Sequence, residues 1–136
     1  VVATTGQSYS EAFARSYYTG QPLVVLLGAD WCPGCVKMKK SVLPEVARAG
    51  GLQGVSFAYV DIDRDPQLAS KLSRGSSIPQ LIRFERRGDS WESHLLKGAH
   101  SARKVAAFIQ GGPDENKTAE GWAAKLSGWA QTINEK

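Results

Sequence analysis

The sequence predicts an α/β fold in which a central, mixed four-stranded sheet is flanked by helices, with elements in the order β-α-β-α-β-β-α. Three observations predict it. An apolar run over residues 23–27 passes directly into helical periodicity, and a second strand-like run over 55–62 is again followed by a helix signal. Two further runs, 79–86 and 91–97, are separated by the turn residues Gly88-Asp89. We therefore expect two parallel strands joined by a right-handed crossover, followed by an antiparallel hairpin.

The first element is a helix predicted over residues 9–19. Ser8 followed by Glu11 is a capping-box pattern, because each side chain can accept a hydrogen bond from the other residue's backbone N–H. Gly20 is a typical residue just after a helix, and Pro22 prevents its continuation. The apolar residues that share one face of this helix are Tyr9, Ala12, Phe13 and Tyr17.

The next stretch, residues 22–47, contains a buried strand followed by an amphipathic helix. Leu23–Leu27 is apolar at every position, as expected for a strand covered on both faces. After it, apolar side chains recur every three or four residues, at Cys35, Met38, Val42 and Val46. Both cysteines of the chain, Cys32 and Cys35, therefore lie where the strand leads into the helix.

This location has a consequence for sulfur chemistry. A helix start offers unpaired backbone N–H groups and the positive end of the helix dipole, which favour a thiolate at Cys32. Pro33 suits the first helical position, where its missing N–H is no loss. Cys35 lies one turn further along, close enough for a disulfide and more deeply buried. We expect Cys32 to attack and Cys35 to resolve.

The remaining elements have their own signals. Asp65-Pro66 predicts an N-cap and a proline at the first helical position, with Leu68 and Leu72 as apolar contacts. After the hairpin, Ser101 is predicted to cap a helix whose inward residues are Ala102, Val105, Phe108 and Ile109.

The C-terminal end predicts one additional helix. Gly111-Gly112-Pro113 breaks the chain, and beyond it an apolar stripe predicts a helix over about 118–134, formed by Trp122, Leu126, Trp129 and Ile133. We expect residues 1–112 to form the domain and residues 113–136 to form an extension packed on the same domain. A partner or dimer contact is the alternative.

Composition limits the classes of function. The chain has 136 residues, of which 42% are hydrophobic and 22% charged, as in an ordinary globular protein with one core. The net charge is +4, but the basic residues are scattered, so we expect no nucleic-acid partner. No apolar run approaches the 18 or so residues of a membrane span, and we expect a monomer. Because the sequence starts at Val1 without a signal peptide, a processed mature form or a trimmed chain is expected. The basic groups, each expected to form a solvated face, are Lys37, Lys39 and Lys40 on the helix and Arg83, Arg86 and Arg87 on a strand.

The sequence from Ala29 to Cys35, Ala-Asp-Trp-Cys-Pro-Gly-Cys, resembles the active site of the thioredoxin superfamily. Pro44 is similar to the proline that kinks the long helix of that family, and Ile78-Pro79 resembles its cis-proline loop. Lys97-Gly98-Ala99 resembles its glycine beside the substrate. These anchors cover roughly residues 8–110, and the motif is most similar to bacterial periplasmic thioredoxin-like domains of reductant relays.

The resemblance implies a thioredoxin-like fold and a thiol–disulfide oxidoreductase that exchanges disulfides with protein substrates through a mixed disulfide, acting as a reductase. It implies protein disulfide or dithiol substrates, a redox-partner protein and no small-molecule cofactor. An exported, periplasmic location is expected, with the cytoplasm as the alternative. Cys32 and Cys35 would be catalytic, and Pro79 would form a cis peptide bond. The residues implied to contact substrate are Trp31, Pro33, Gly34, Ile78, Pro79, Gly98 and Ala99.

The chain departs from the family pattern in two ways that affect the thiol chemistry of Cys32 and Cys35. Proline precedes glycine between the cysteines, the reverse of the order in thioredoxins, so the direction of electron flow stays open. Leu26 and Tyr59 stand where thioredoxins carry a buried Asp and a partner Lys. The proton of Cys35 must then leave through water, Asp30 or another group.

Three alternatives compete with the enzyme. The cysteine pair could form a passive disulfide, or could carry copper or zinc with help from His94 or His100, the two histidines of the chain. A thioredoxin-fold binding module without turnover is the third. We expect both histidines to be surface or capping residues, and Asp61 and Asp63 to cap a loop.

Overall fold

The computed structural model describes residues 8–112, so the predicted extension over 113–136 and the first seven residues lie outside the described part. Within it the elements follow the predicted order. They are α1 (Tyr9–Thr19), β1 (Leu23–Gly28), α2 (Pro33–Lys37), a π-helical turn (Met38–Val42), α3 (Leu43–Arg48), β2 (Ser56–Asp61), α4 (Pro66–Leu72), β3 (Gln80–Arg87), β4 (Ser90–Lys97) and α5 (Ala102–Ile109).

The four strands form one mixed sheet in the order β2-β1-β3-β4. β1 is parallel to β2 and antiparallel to β3, and β3 pairs with β4 as an antiparallel hairpin. The predicted α/β fold class is therefore confirmed. In this register Leu26 lies opposite Tyr59 on one side and Leu81 on the other.

Both faces of β1 are buried because helices cover the sheet on each side. Val24 and Leu26 face the core formed with α3 and α5. Leu23, Val25 and Leu27 face the core formed with α1 and α4. This alternation is what a strand's two-residue period requires, and it explains why the strand is apolar throughout.

The local end signals are mostly confirmed. The backbone N–H of Glu11 donates to Ser8 Oγ at 3.2 Å, and that of Ser8 donates to Glu11 Oε1 at 3.3 Å, which completes the capping box of α1. Ser101 Oγ accepts from the N–H of Lys104 at 3.2 Å. Asp65 precedes α4 as predicted, but its side chain makes no capping hydrogen bond. Pro66 alone therefore sets the start of that helix.

The helix after the cysteines is interrupted at Pro44, as its resemblance to a kinked helix implied. The turn Met38–Val42 is π-helical, and the N–H of Leu43 donates to the carbonyl oxygen of Met38, five residues back. Proline has no N–H to donate to the preceding turn, so a wider turn accommodates it. The predicted apolar stripe of Cys35, Met38, Val42 and Val46 is buried throughout.

The prediction of an exposed basic face on β3 is wrong for Arg83, whose side chain is only 2% exposed. Its Nε donates to Glu85 Oε2 at 2.9 Å, its Nη1 donates to the carbonyl oxygen of Phe108, and its guanidinium lies 4.9 Å from the Phe108 ring centroid. Arg83 therefore connects the sheet to α5. His94, predicted as a surface or capping residue, is also buried, with Nε2 3.6 Å from Glu92 Oε1.

No helix among residues 8–112 is long and apolar enough to cross a membrane.

Replacing Arg83 by leucine should lower the free energy of unfolding by about 3 kcal/mol, because Glu85 and the Phe108 carbonyl group would lose a buried charged partner. Urea unfolding followed by circular dichroism measures this change. Arg86→Leu on the same strand is the matched control. Arg86 is exposed, and its guanidinium lies over the rings of Tyr17 and Trp91, so we expect a loss below about 1 kcal/mol. Equal effects of the two substitutions would contradict the role given to Arg83.

Candidate functional site

Cys32 and Cys35 lie at the junction of β1 and α2, as predicted. Cys32 is the N-cap of α2, and its Sγ accepts a hydrogen bond from the backbone N–H of Cys35 at 3.2 Å. Both are free thiols, but Cys32 is 7% exposed whereas Cys35 is completely buried. Of the two sulfurs, that of Cys32 is therefore the one that another molecule can reach.

Pro33 occupies the first turn of α2, and the N–H of Val36 donates to the carbonyl oxygen of Cys32 at 3.0 Å. The N–H of Cys32 itself donates to the carbonyl oxygen of Ala29 at 3.2 Å. These backbone bonds fix Cys32 at the point where the strand ends, with its sulfur facing the N–H of Cys35.

The loop that precedes β3 lies against this sulfur. The Ile78–Pro79 peptide bond is cis, and the carbonyl oxygen of Ile78 is 3.9 Å from Cys32 Sγ. The N–H of Gly98 donates to the carbonyl oxygen of Pro79 at 2.9 Å. Gly98 has φ +85°, a conformation that a residue with a side chain rarely adopts.

Gly34, Pro79 and Ala99 meet beside the cysteines. A Cβ added to Gly34 would lie 3.4 Å from Pro79 Cδ and 3.5 Å from Ala99 Cβ. Ala99 is exposed and Gly34 partly so. Three chain segments distant in sequence thus form one shallow surface around Cys32.

Trp31 flanks the attacking cysteine and is 66% exposed. Its indole Nε1 donates to Asp63 Oδ2 at 2.7 Å, so Asp63 orients the ring and is not the loop cap that we expected. Asp61 does cap the loop, since its Oδ1 accepts from the N–H of Asp63 at 2.8 Å and of Arg64 at 3.3 Å. The sequence offered one indication that Trp31 and Asp63 meet: each follows the end of one of two strands predicted to be parallel, and the ends of parallel neighbours lie side by side.

Gly28, the last residue of β1, was not singled out by the sequence patterns. A Cβ at this position would lie 2.9 Å from Cys35 Cβ, 3.1 Å from Cys35 Sγ and 3.2 Å from the Tyr59 hydroxyl oxygen. The missing side chain therefore provides the space that the buried cysteine occupies. It also brings the hydroxyl of Tyr59 close to that cysteine.

Burial controls the ionisation of both groups. It raises the pKa of the Cys35 thiol to about 12, and hydrogen bonding with Cys32 adds to the effect. Burial, followed by the negative charge of Asp61, raises the pKa of Tyr59 to about 12. Both groups are neutral at pH 7. The Nζ of Lys39 lies 4.2 Å from the centroid of the Tyr59 ring.

Asp30, considered above as a route for the Cys35 proton, is 70% exposed on its side chain and lies 3.9 Å from Arg64 Nη2. A pair this exposed contributes little to stability.

Among residues 8–112, one group of three possible metal ligands lies within 4.8 Å of one another, formed by Glu85, Glu92 and His94, and it includes neither cysteine. Arg87 pairs with both glutamates of this group. His100 lies near Gly98 as predicted, with Nε2 2.6 Å from the carbonyl oxygen of Lys97.

Adding a methyl group at Gly28 should disturb the site specifically. We expect Gly28→Ala to lower the free energy of unfolding by about 1–3 kcal/mol, because the new Cβ would overlap the Cys35 side chain. Gly34→Ala is the control, since its Cβ makes only ordinary contacts and alanine favours a helix. Urea unfolding of the reduced proteins measures both. A Gly28→Ala protein as stable as Gly34→Ala would show that the space above Gly28 is not needed.

The buried thiol also predicts how stability depends on pH. In the unfolded chain the pKa of Cys35 returns to its model-peptide value of 9.0, so above this pH the unfolded state binds fewer protons than the folded state. The stability that the reduced protein gains from Cys35 is complete below about pH 9 and is lost as the pH rises toward about 12. Unfolding in dithiothreitol over this range, compared with Cys35→Ala, isolates the effect. If the variant lost stability as steeply as the wild type, the prediction would be wrong.

The fold is similar to solved thioredoxin structures. A thioredoxin from Trichomonas vaginalis is 24% identical over 77% of this chain and 91% of its own, with a TM-score of 0.60. A thioredoxin from Thermus thermophilus is 22% identical over 76% of this chain and 82% of its own, with a TM-score of 0.65. Mitochondrial thioredoxin 3 from Saccharomyces cerevisiae, in its oxidised form, is 21% identical over 72% of this chain and 85% of its own, with a TM-score of 0.56. At these identities the likeness concerns the fold.

A search of curated protein sequences finds no significant match. The family model described as thioredoxin, however, matches residues 1–111, which is most of the chain and includes both cysteines and the cis-proline loop, and so the chain belongs to the thioredoxin family.

Proposed function

We propose that this chain is a thiol–disulfide oxidoreductase that reduces disulfides in protein substrates. The observation that carries the proposal is the asymmetry of the two sulfurs. Cys32 Sγ accepts a backbone hydrogen bond at the start of α2, while Cys35 is fully buried behind it. A sulfur that accepts a helix N–H and is the more accessible of the two suits attack, and a fully buried thiol one turn away suits resolution.

The reaction then proceeds in two exchanges. The Cys32 thiolate attacks one sulfur of the substrate disulfide, forms a mixed disulfide and releases the other substrate sulfur as a thiolate. Cys35 loses its proton and attacks Cys32 Sγ, which releases the second substrate sulfur. The substrate gains two electrons, the Cys32–Cys35 pair loses two, and a redox-partner protein must reduce the pair again.

The surface around Cys32 supports a protein substrate. The backbone of Ile78 lies beside the sulfur and is available to pair with an extended segment of substrate. In this proposal Trp31, Pro33, Gly34, Pro79, Gly98 and Ala99 contact that segment. An exported, periplasmic location stays a prediction, as do a monomeric state and the packing of residues 113–136 on the domain.

Trapping the mixed disulfide tests the proposal. Cys35→Ser should accumulate a covalent complex with a disulfide-containing protein such as insulin, because the first exchange still occurs and the second cannot. Cys32→Ser is the matched control and should form no such complex. Non-reducing electrophoresis and mass spectrometry identify the adduct. A Cys35→Ser protein that formed no adduct, with a wild type that did not reduce insulin, would favour a binding module or a metal carrier.

The direction of electron flow follows from the reduction potential of the Cys32–Cys35 pair, measured by equilibration in glutathione buffers. A reductase should give a potential near about −270 mV, whereas a value of about −120 to −180 mV would indicate disulfide donation or reshuffling. A zinc or copper titration that left the number of free thiols unchanged would exclude the metal carrier.

A further inference from the structure

We propose that the Tyr59 hydroxyl donates a hydrogen bond to Cys35 Sγ as this sulfur loses its proton and attacks the mixed disulfide. This inference rests on the proposed function and assigns a catalytic residue to its second exchange. Tyr59 is one of the two positions at which this chain departs from the thioredoxin pattern, since thioredoxins carry a lysine there.

The geometry at the end of β1 carries the proposal. Cys35 Sγ and the Tyr59 hydroxyl oxygen lie 3.1 Å and 3.2 Å from one point, the position that a Cβ on Gly28 would take. These two distances place both atoms on the Cβ side of Gly28, so the hydroxyl is a polar group beside the space that Cys35 occupies. Because Gly28 has no side chain, nothing from β1 separates them.

The sheet determines which residues can reach this point. β2 is parallel to β1, and Tyr59 pairs in register with Leu26, two residues before Gly28. Leu26 lies on the same face of β1 as Gly28 and has no polar side-chain atom. Tyr59 extends past it and carries a hydroxyl to the buried side of Cys35.

The chemistry of resolution needs such a group. Cys35 is completely buried, and its raised pKa means that the thiolate is costly to form in this environment. A hydrogen bond to the charged form stabilises it. Tyr59 can donate this bond because its own pKa, raised by burial and then by Asp61, keeps the hydroxyl protonated at neutral pH.

Charged groups from several elements surround this hydroxyl. The Nζ of Lys39 lies over the Tyr59 ring, 4.2 Å from its centroid. The Asp30 and Asp61 carboxylates act on Tyr59 in the opposite sense, and they hold its proton in place. A cavity of about 370 Å³ has Lys39, Tyr59, Asp30 and Asp61 in its lining, so solvent reaches the Tyr59 side chain.

The step balances as follows. The Cys35 proton passes to solvent water, and the electron pair on Cys35 Sγ forms the bond to Cys32 Sγ. The bond between Cys32 Sγ and the substrate sulfur breaks, and the substrate sulfur leaves with that electron pair. Tyr59 keeps its own proton throughout.

Stopped-flow reaction with the chromogenic disulfide dithiobis(nitrobenzoate) separates the two exchanges. Attack by Cys32 releases the first nitrothiobenzoate in a second-order phase, and attack by Cys35 releases the second in a first-order phase. In Tyr59→Phe we expect the second phase to slow by about tenfold, as for loss of a hydrogen bond to a charged group, and the first phase to keep the wild-type rate. The pH profile of the second phase should also shift to higher pH.

Phenylalanine keeps the ring and its contact with Lys39, so the fold should be preserved, and the urea midpoint verifies this. Tyr17→Phe on α1 is the matched control, because it removes a hydroxyl from an exposed ring and should change neither phase. A second phase with the wild-type rate and pH profile in Tyr59→Phe would overturn the inference and leave the proposed function intact. A wild-type protein that released no second nitrothiobenzoate would instead overturn the proposed function.

Discussion

The burial of β1 between two neighbouring strands and two helical layers is the constraint on which the rest of the structure depends. Its residues face two separate cores, so every position from Leu23 to Leu27 is apolar. Polar and reactive side chains can therefore occur only after the strand ends. The residues that follow emerge together at one edge of the sheet. This is where Cys32 meets the start of α2, and where Trp31 meets Asp63 from the loop after β2. The chemistry of the site thus follows from where a buried strand ends.

The same constraint separates the two sulfurs. Cys32 remains at the rim, where the backbone N–H of Cys35 donates to its sulfur, whereas Cys35 begins the apolar stripe of the helix and packs against Gly28. One residue type, placed one helical turn apart, thereby acquires two different environments. Burial disfavours the charged form of Cys35, so the second exchange of the proposed reaction is the one that needs assistance.

Patterns short enough to lie within one element predicted much of this arrangement. Ser8 and Glu11 marked the start of α1, Leu23–Leu27 marked the buried strand, and the spacing from Cys35 to Val46 marked the buried face of the helix. The features that were missed depend on contacts between distant segments. Arg83 was expected to be exposed because charged residues usually are, and only the packing of α5 on the sheet provides the carbonyl group that it binds. From the sequence, Gly28 is simply the last residue of a strand. Its role depends on Cys35 of the next helix, which occupies the space that a side chain on Gly28 would fill.

Leu26 and Tyr59 show how a local change alters the chemistry of the site. The family resemblance implies an Asp and a Lys at these positions, and two ionisable groups beside a buried thiol require desolvation that their attraction only partly offsets. A leucine and a phenol avoid that cost, since neither carries a charge at neutral pH. The phenol still offers a hydrogen-bond donor to a thiolate, but it cannot accept the proton while its own pKa is about 12. In the proposed reaction the Cys35 proton must therefore leave to water, and the neutral donor at Tyr59 acts on the thiolate that remains rather than on the proton.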